Sequence, residues 1–190
     1  MTYYPAFLNL KGKRVLLFGA GEVALRKAKS LFESGAHITA VSREFSPSFL
    51  KWAKRTRIKL IRGTKTTPLA GIWLVVAATS DQKFNQKIYA ACAKEKIFVN
   101  VVDDPKHSSF IVPSVVKRGQ LALAISTGGA SPSLAKMIRK KLQKQFGSEY
   151  GRLLKKLAHH RARAKRTMSV KDRRNHFLSQ AASQLKILSR

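Results

Sequence analysis

Acidic side chains are scarce in this chain: nine Asp and Glu among 190 residues, against 38 Lys and Arg, for a formal net charge of +29. Cysteine is scarcer still, and the single Cys92 excludes an internal disulfide. Without a C-x-x-C or H-E-x-x-H pattern there is no self-contained structural metal site. No apolar run approaches the roughly 20 residues of a membrane span, and the N-terminus lacks the pattern of a secretion signal. A cytoplasmic location with no membrane partner is therefore expected. Cys92 shares a helical face with Phe84, Ile88 and Ala91 and reads as core.

The positive charge is uneven. Residues 1–112 carry +12, and residues 113–190 carry +17 with only two carboxylates. Such a field attracts polyanions. Nucleic acid, a small polycarboxylate substrate and a generally basic proteome all remain open as explanations.

Residues 14–24, Arg-Val-Leu-Leu-Phe-Gly-Ala-Gly-Glu-Val-Ala, read as a nucleotide-binding strand-to-helix turn. Gly19 would allow the tight turn, Gly21 would let backbone approach a pyrophosphate, and Ala24 would let the helix pack close to the sheet. The phosphate would sit on the helix N-terminus, where unpaired N–H groups and the positive dipole end favour an anion. The context fits: Val15 to Phe18 form an apolar strand, Ala24, Ala28, Leu31 and Phe32 lie on one helical face, and His37 to Val41 complete a βαβ unit. The bland alternative is that these glycines merely end a strand.

Alternation continues with a helix from Ser46 to Arg55, with Pro47 at its first position, and a short strand from Lys59 to Ile61. An apolar strand follows from Trp73 to Ala78, then a helix capped by Thr79-Ser80-Asp81 running to Lys96, and a strand from Phe98 to Val102. This predicts an α/β fold, a Rossmann-like doubly wound parallel sheet, over residues 1–112. Beyond it come a strand from Leu121 to Ile125 and a helix capped by Ser131 with Pro132 in its first turn. That helix carries Leu134, Met137, Ile138, Lys141 and Leu142 on one side. Helices from Tyr150 to about Ala164 and from Ser169 to Leu188 complete the chain, the latter opened by a capping box of Ser169 and Asp172.

Most of the nine carboxylates have helical or capping positions, which leaves Asp103-Asp104. The pair follows Asn100-Val101-Val102 at the carboxyl end of a parallel strand, where open α/β sheets bind ligands. A carboxylate there could act as general base while a hydride leaves for a nicotinamide. Equally, either aspartate could only cap the turn before Pro105. His107 could hydrogen-bond a carboxylate or assist metalation, or be a plain loop histidine. His159 and His160 are adjacent on a helix and point apart, so joint chelation is not expected.

Several blocks in one order give a more specific signal: Tyr4-Pro5-Ala6-Phe7-Leu8-Asn9-Leu10-Lys11-Gly12, Gly19 through Ala28, Ala77-Ala78-Thr79-Ser80-Asp81, Asn100-Val101-Val102-Asp103, Phe110-Ile111-Val112-Pro113-Ser114, and Ser126-Thr127-Gly128-Gly129-Ala130-Ser131-Pro132. In these the chain resembles the precorrin-2 dehydrogenase family, the N-terminal module of siroheme synthases, over essentially its whole length. The resemblance implies NAD-dependent oxidation of precorrin-2, a polycarboxylate tetrapyrrole, to sirohydrochlorin, followed in some members by ferrous iron insertion. It also implies a homodimer, with an α+β dimerisation domain over 113–146 and a helical C-terminal domain over 147–190 bordering the substrate cleft.

By position, Asp103 matches the family's proposed catalytic base, which is also implicated in metal insertion; no dedicated metal ligand is expected. Gly19, Gly21, Glu22 and Val23 match the NAD turn, Ser42, Arg43 and Glu44 the segment after strand two, and Thr79 the end of the Trp73–Ala78 strand. Asp104, His107, Ser126 and Thr127 are candidate substrate contacts. Strand two ends without the usual ribose-binding acid at its tip, and Arg43 could accept a 2′-phosphate, so NADP is not excluded by the residues. The competing function is a redox-sensing nucleotide fold that binds nucleic acid through its basic C-terminal half; no helix-turn-helix or aromatic-studded sheet accompanies it.

Overall fold

The computed structural model describes residues 3–63, 68–167, 169 and 172. The chain divides into two compact units, Met1–Val112 and Pro113–Arg190.

The first unit is a five-stranded parallel sheet. Its strands are β1 (Arg14–Phe18), β2 (His37–Ser42), β3 (Lys59–Arg62), β4 (Leu74–Ala77) and β5 (Phe98–Val101), in spatial order β3-β2-β1-β4-β5. The order reverses between β1 and β4, the switch point of a doubly wound sheet. Helices α1 (Glu22–Glu33), α2 (Pro47–Thr56) and α3 (Gln82–Lys94) make the crossovers. Two cores result, one per face. Val15, Leu17, Ile38, Ala40, Leu74 and Val76 pack against Ala24, Leu25 and Ala28 of α1 and Phe49 and Ala53 of α2. Leu16, Phe18, Val75, Ala77, Val99 and Val101 pack against Ile88 and Cys92 of α3. Strands buried on both faces must be continuous apolar runs, which is how β1 and β4 read in the sequence.

The expected elements of this unit are present, with small differences at their ends. The strand expected from Trp73 to Ala78 is Leu74–Ala77. Single bonds, Trp73 N–H to the Arg14 carbonyl at 2.9 Å and Ala78 N–H to the Phe18 carbonyl at 2.8 Å, extend its alignment with β1 by one residue each way. Ser46 and Asp81 cap α2 and α3 by accepting from the Phe49 and Phe84 N–H groups. The open edge of β5 is closed by side chains: the Val99 and Val101 N–H groups donate to Ser109 Oγ and Ser108 Oγ at 2.8 and 2.9 Å. Those serines fill the role that a sixth strand would otherwise take.

The second unit holds an antiparallel hairpin of β6 (Ser114–Arg118) and β7 (Leu121–Ile125), with α4 (Pro132–Gln145) and α5 (Ser148–Thr167) packed on it. Strand β6 is absent from the sequence reading: it is short, begins after Pro113 and ends in Lys117-Arg118, and only Val116 on it is buried. The first C-terminal helix, expected from Tyr150 to Ala164, runs from Ser148 to Thr167. Of the expected helix Ser169–Leu188, all but Ser169 and Asp172 lies outside the described residues; there the Asp172 N–H donates to Ser169 Oγ at 3.3 Å, the first bond of the capping box. No helix among the described residues is long and apolar enough to cross a membrane.

Cys92 is fully buried on α3, and burial pushes its thiol pKa up to about 11. The reactive form is the thiolate, so the folded protein at pH 8 should resist alkylation by iodoacetamide while the guanidinium-unfolded chain labels completely. Labelling at the unfolded rate under native conditions would show that α3 does not seat as described.

Candidate nucleotide and acid–base site

All the candidate residues of the first unit lie at the carboxyl edge of its sheet, because parallel strands end together there. At the end of β1, Gly19 has φ +101, and its N–H donates to the Val41 carbonyl at 2.8 Å. A Cβ here would collide with the Ala78 carbonyl, whose carbon lies 2.7 Å from that position. Gly21 is the N-cap of α1, with no side-chain cap, and a Cβ on it would meet nothing within 4 Å. The turn is therefore tight at Gly19 and open at Gly21. An uncapped helix start facing open space is what a pyrophosphate requires.

The neighbouring candidates surround this turn in different ways. Glu22, in the first turn of α1, accepts a hydrogen bond from the Ser48 hydroxyl of α2, and Val23 is half-buried. At the end of β2, the Ser42 hydroxyl donates to the Glu44 carbonyl at 2.6 Å, shaping the backbone on which Arg43 and Glu44 stand exposed. Thr79, just past β4, donates its hydroxyl to Asn85 Oδ1 at 2.7 Å, and Asn85 Nδ2 returns a bond to the Thr79 carbonyl at 3.0 Å. That reciprocal pair anchors the start of α3.

The two aspartates after β5 separate clearly. Asp104 accepts from the His107 N–H at 3.2 Å and meets His107 Nδ1 at 2.6 Å, closing the short 3₁₀ turn Pro105–His107. Burial of its carboxyl pushes the pKa up, and the His107 hydrogen bonds and charge outweigh that, holding it below the ordinary 3.8. The turn-capping role expected of one of the pair thus falls to Asp104. Asp103 is exposed, adopts a left-handed conformation at φ +60, and its carboxylate has no hydrogen-bond partner among the described residues. A strained residue of this type at the end of a parallel strand is where function is commonly found.

Two residues quoted in the sequence only within matched segments, with no role of their own, join this region. Asn100 on β5 is 7% exposed and its Oδ1 is buried without a partner. Lys27 on α1 is half-buried and feels the Asp103 charge. Among the described residues of this unit no lysine or arginine pairs with a carboxylate, the His107–Asp104 contact being the ion pair there. Its cations are thus available to an anionic ligand.

Ser126 and Thr127 belong to the second unit. The Thr127 hydroxyl donates to the Ser131 carbonyl at 3.0 Å and accepts from the Ser131 N–H at 3.1 Å, while Ser126 Oγ accepts from the Gly128 N–H at 3.0 Å. Both side chains shape the glycine turn that precedes α4. Among the described residues no group of three or more His, Cys, Asp or Glu is placed to hold a metal ion.

The chain is similar to known proteins in both units. The family described as putative NAD(P)-binding matches residues 6–114, and that of the sirohaem biosynthesis protein central region matches residues 118–145. Siroheme synthase 1 of Yersinia pestis is 40% identical over 178 residues, covering 93% of this chain and 38% of the relative. Siroheme synthase 2 of Klebsiella pneumoniae is 38% identical over 178 residues, covering 93% and 39%. The chain thus spans well under half the length of these curated relatives. The solved structure of SirC, a precorrin-2 dehydrogenase, superposes with a TM-score of 0.77 at 29% identity, covering 93% of this chain and 88% of that one.

Asp104 gives a pH-dependent signature. Its folded pKa is lowered, so the folded state binds fewer protons than the unfolded one; the stabilisation is present above about pH 4 and lost as pH falls through the native value. Replacing it by Ala removes two hydrogen bonds, each worth about 1 kcal/mol. Urea melts should show Asp104→Ala destabilised at pH 7, with the gap to wild type closing below pH 4. A gap that stays constant across that range would remove the ionised carboxylate from the account.

Proposed function

The chain belongs to the siroheme-biosynthesis family of NAD(P)-binding proteins, and from that premise we propose that it oxidises precorrin-2 to sirohydrochlorin with NAD as hydride acceptor. The observation that carries this reading is the contrast between the two aspartates. Asp104 is engaged by His107, whereas Asp103 stands exposed, without a hydrogen-bond partner among the described residues, at the same sheet edge as the nucleotide turn. The dinucleotide, when bound, supplies the electron-pair acceptor. The protein must hold its pyrophosphate, orient the tetrapyrrole and take up the proton that accompanies hydride loss. Gly19, Gly21 and the start of α1 do the first, with Glu22 and Val23 in the same turn; Asp103 does the last. The lysines and arginines of the first unit, none of which pairs with a carboxylate among the described residues, offer counter-charges to the acetates and propionates of a polycarboxylate substrate.

NAD rather than NADP is taken from the resemblance, since strand two ends without the usual ribose-binding acid at its tip. Arg43 beside it suits a 2′-phosphate, so NADP assayed in parallel discriminates the two. Asp104 and His107, candidate substrate contacts, hold the turn after β5, and Ser126 and Thr127, candidates of the same kind, hold the glycine turn before α4. Iron insertion into the product would draw on the same Asp103 carboxylate, with ferrous iron as substrate.

Assembly as a homodimer is supported by α4, on which Leu134 and Met137 are 42% and 51% exposed, and by Val115 on β6. Apolar side chains gathered on one small unit call for cover, and a second copy through residues 113–146 supplies it. The basic C-terminal half is read as a face for the anionic substrate. The nucleic-acid alternative draws no support from the family and is set aside.

General-base catalysis is typically worth a factor of 10² to 10⁴. Asp103→Asn should therefore lower sirohydrochlorin formation from precorrin-2 and NAD by about 100-fold or more, while NAD affinity stays within about twofold. Turnover at the wild-type rate in that variant would remove Asp103 as the base.

A further inference from the structure

The acid that a doubly wound sheet usually offers to the adenosine ribose stands at the tip of its second strand. Here that tip is Ser42, whose hydroxyl gives its proton to the Glu44 carbonyl at 2.6 Å. Arg43 and Glu44 beyond it are exposed, and neither side chain makes a hydrogen bond or ion pair among the described residues.

A different carboxylate is fixed close by. Glu22 lies in the first turn of α1, and its Oε1 accepts from the hydroxyl of Ser48, the second residue of α2. A hydroxyl carries one proton, so in the 3.0 Å contact between Ser46 Oγ and Ser48 Oγ the donor is Ser46. Ser46 in turn accepts from the Phe49 N–H at 3.3 Å as the cap of α2, and its own N–H donates to the Ala20 carbonyl of the glycine turn at 3.1 Å. A chain of hydrogen bonds thus runs from the start of α2 to the Glu22 carboxylate, ending in a charge-assisted bond.

This chain decides which way Glu22 points. Four residues on along α1 stands Arg26, the ordinary partner for an exposed glutamate, yet the two form no ion pair. Glu22 is held instead against the helix that follows β2, the strand over whose end the adenosine half of a dinucleotide lies. Its Oε2 has no partner among the described residues. An ionised carboxylate only accepts hydrogen bonds. It takes one from a ribose 2′-hydroxyl and repels a 2′-phosphate.

We propose that Glu22, aimed by Ser48, is the carboxylate that accepts the ribose 2′-hydroxyl in place of the missing strand-tip acid, and that Ser48 is thereby a positioning residue for the choice of NAD over NADP. The inference rests on a dinucleotide being seated at the β1–α1 turn, as the proposed function requires. Ser48 touches no cofactor in this role; it acts through Glu22, and its effect is lost when Glu22 loses its charge.

Calorimetric titration of the full chain with NAD and with NADP tests this, the readout being the ratio of the two dissociation constants. Wild type should bind NAD about tenfold or more tightly than NADP. Glu22→Gln should shrink that preference about tenfold, by weakening NAD and relieving the repulsion of NADP. Ser48→Ala should shrink it about threefold, Ser48→Thr, which keeps the hydroxyl, should retain it, and Ser48→Ala should change it by less than twofold in a Glu22→Gln background. A merely structural role weakens both dinucleotides alike, so a ratio within twofold of wild type in Glu22→Gln or Ser48→Ala overturns the inference. A ratio that collapses in Glu44→Gln and holds in Glu22→Gln assigns the ribose to Glu44 and overturns it as well. Equal wild-type affinity for the two dinucleotides removes this inference together with the preference for NAD. Gly21→Ala separates the inference from the seat itself: wild-type NAD affinity in that variant removes both, whereas a weakened Gly21→Ala beside an unchanged ratio in Glu22→Gln refutes Glu22 alone.

Discussion

The contact on which the site depends is the approach of the β1–α1 turn to the end of β4. Gly19 lies so close to the Ala78 carbonyl that no side chain fits between them, and its φ of +101 is one that glycine alone adopts readily. That contact lets the chain leave the sheet within three residues and start α1 at Glu22 with its first turn uncapped. The positive end of the helix therefore stands at the carboxyl edge of the strands. Because all five strands run parallel, the ends of β2, β4 and β5 deliver Arg43 and Glu44, Thr79 and Asp103 to the same edge. No separate device is needed to gather them.

Adjacent aspartates after β5 then acquire different tasks from their backbone and neighbours. Asp104 belongs to the turn, held by His107, and its ionised form is part of what stabilises that turn. Asp103 has the left-handed backbone and no competing partner among the described residues. Two carboxylates equal in sequence become one structural and one available group.

The doubly wound sheet was legible because a strand buried on both faces must be an unbroken apolar run. Val15 to Phe18 and Leu74 to Ala77 are such runs, and Ser46-Pro47 and Asp81 punctuate the helices between them. The glycine turn was legible for the same local reason. Strand β6 was not, since its lone buried residue, Val116, leaves no pattern to read and its order comes from pairing with β7. Which aspartate caps the turn was undecidable from the dipeptide; it depends on where His107 folds back. Lys27 and Asn100 were invisible for a related reason. A lysine between Arg26 and Ala28 looks like a solvated helix face, and its burial arises only when α1 lies across the sheet.

A dinucleotide seated on the start of α1 requires the open space at Gly21. Calorimetric titration of Gly21→Ala with NAD tests this directly, because a Cβ at that position meets no protein atom within 4 Å and φ there is an ordinary −81. The predicted result is unchanged thermal stability to within about 0.5 kcal/mol with NAD affinity weakened tenfold or more. Wild-type affinity in a normally folded Gly21→Ala protein would contradict it.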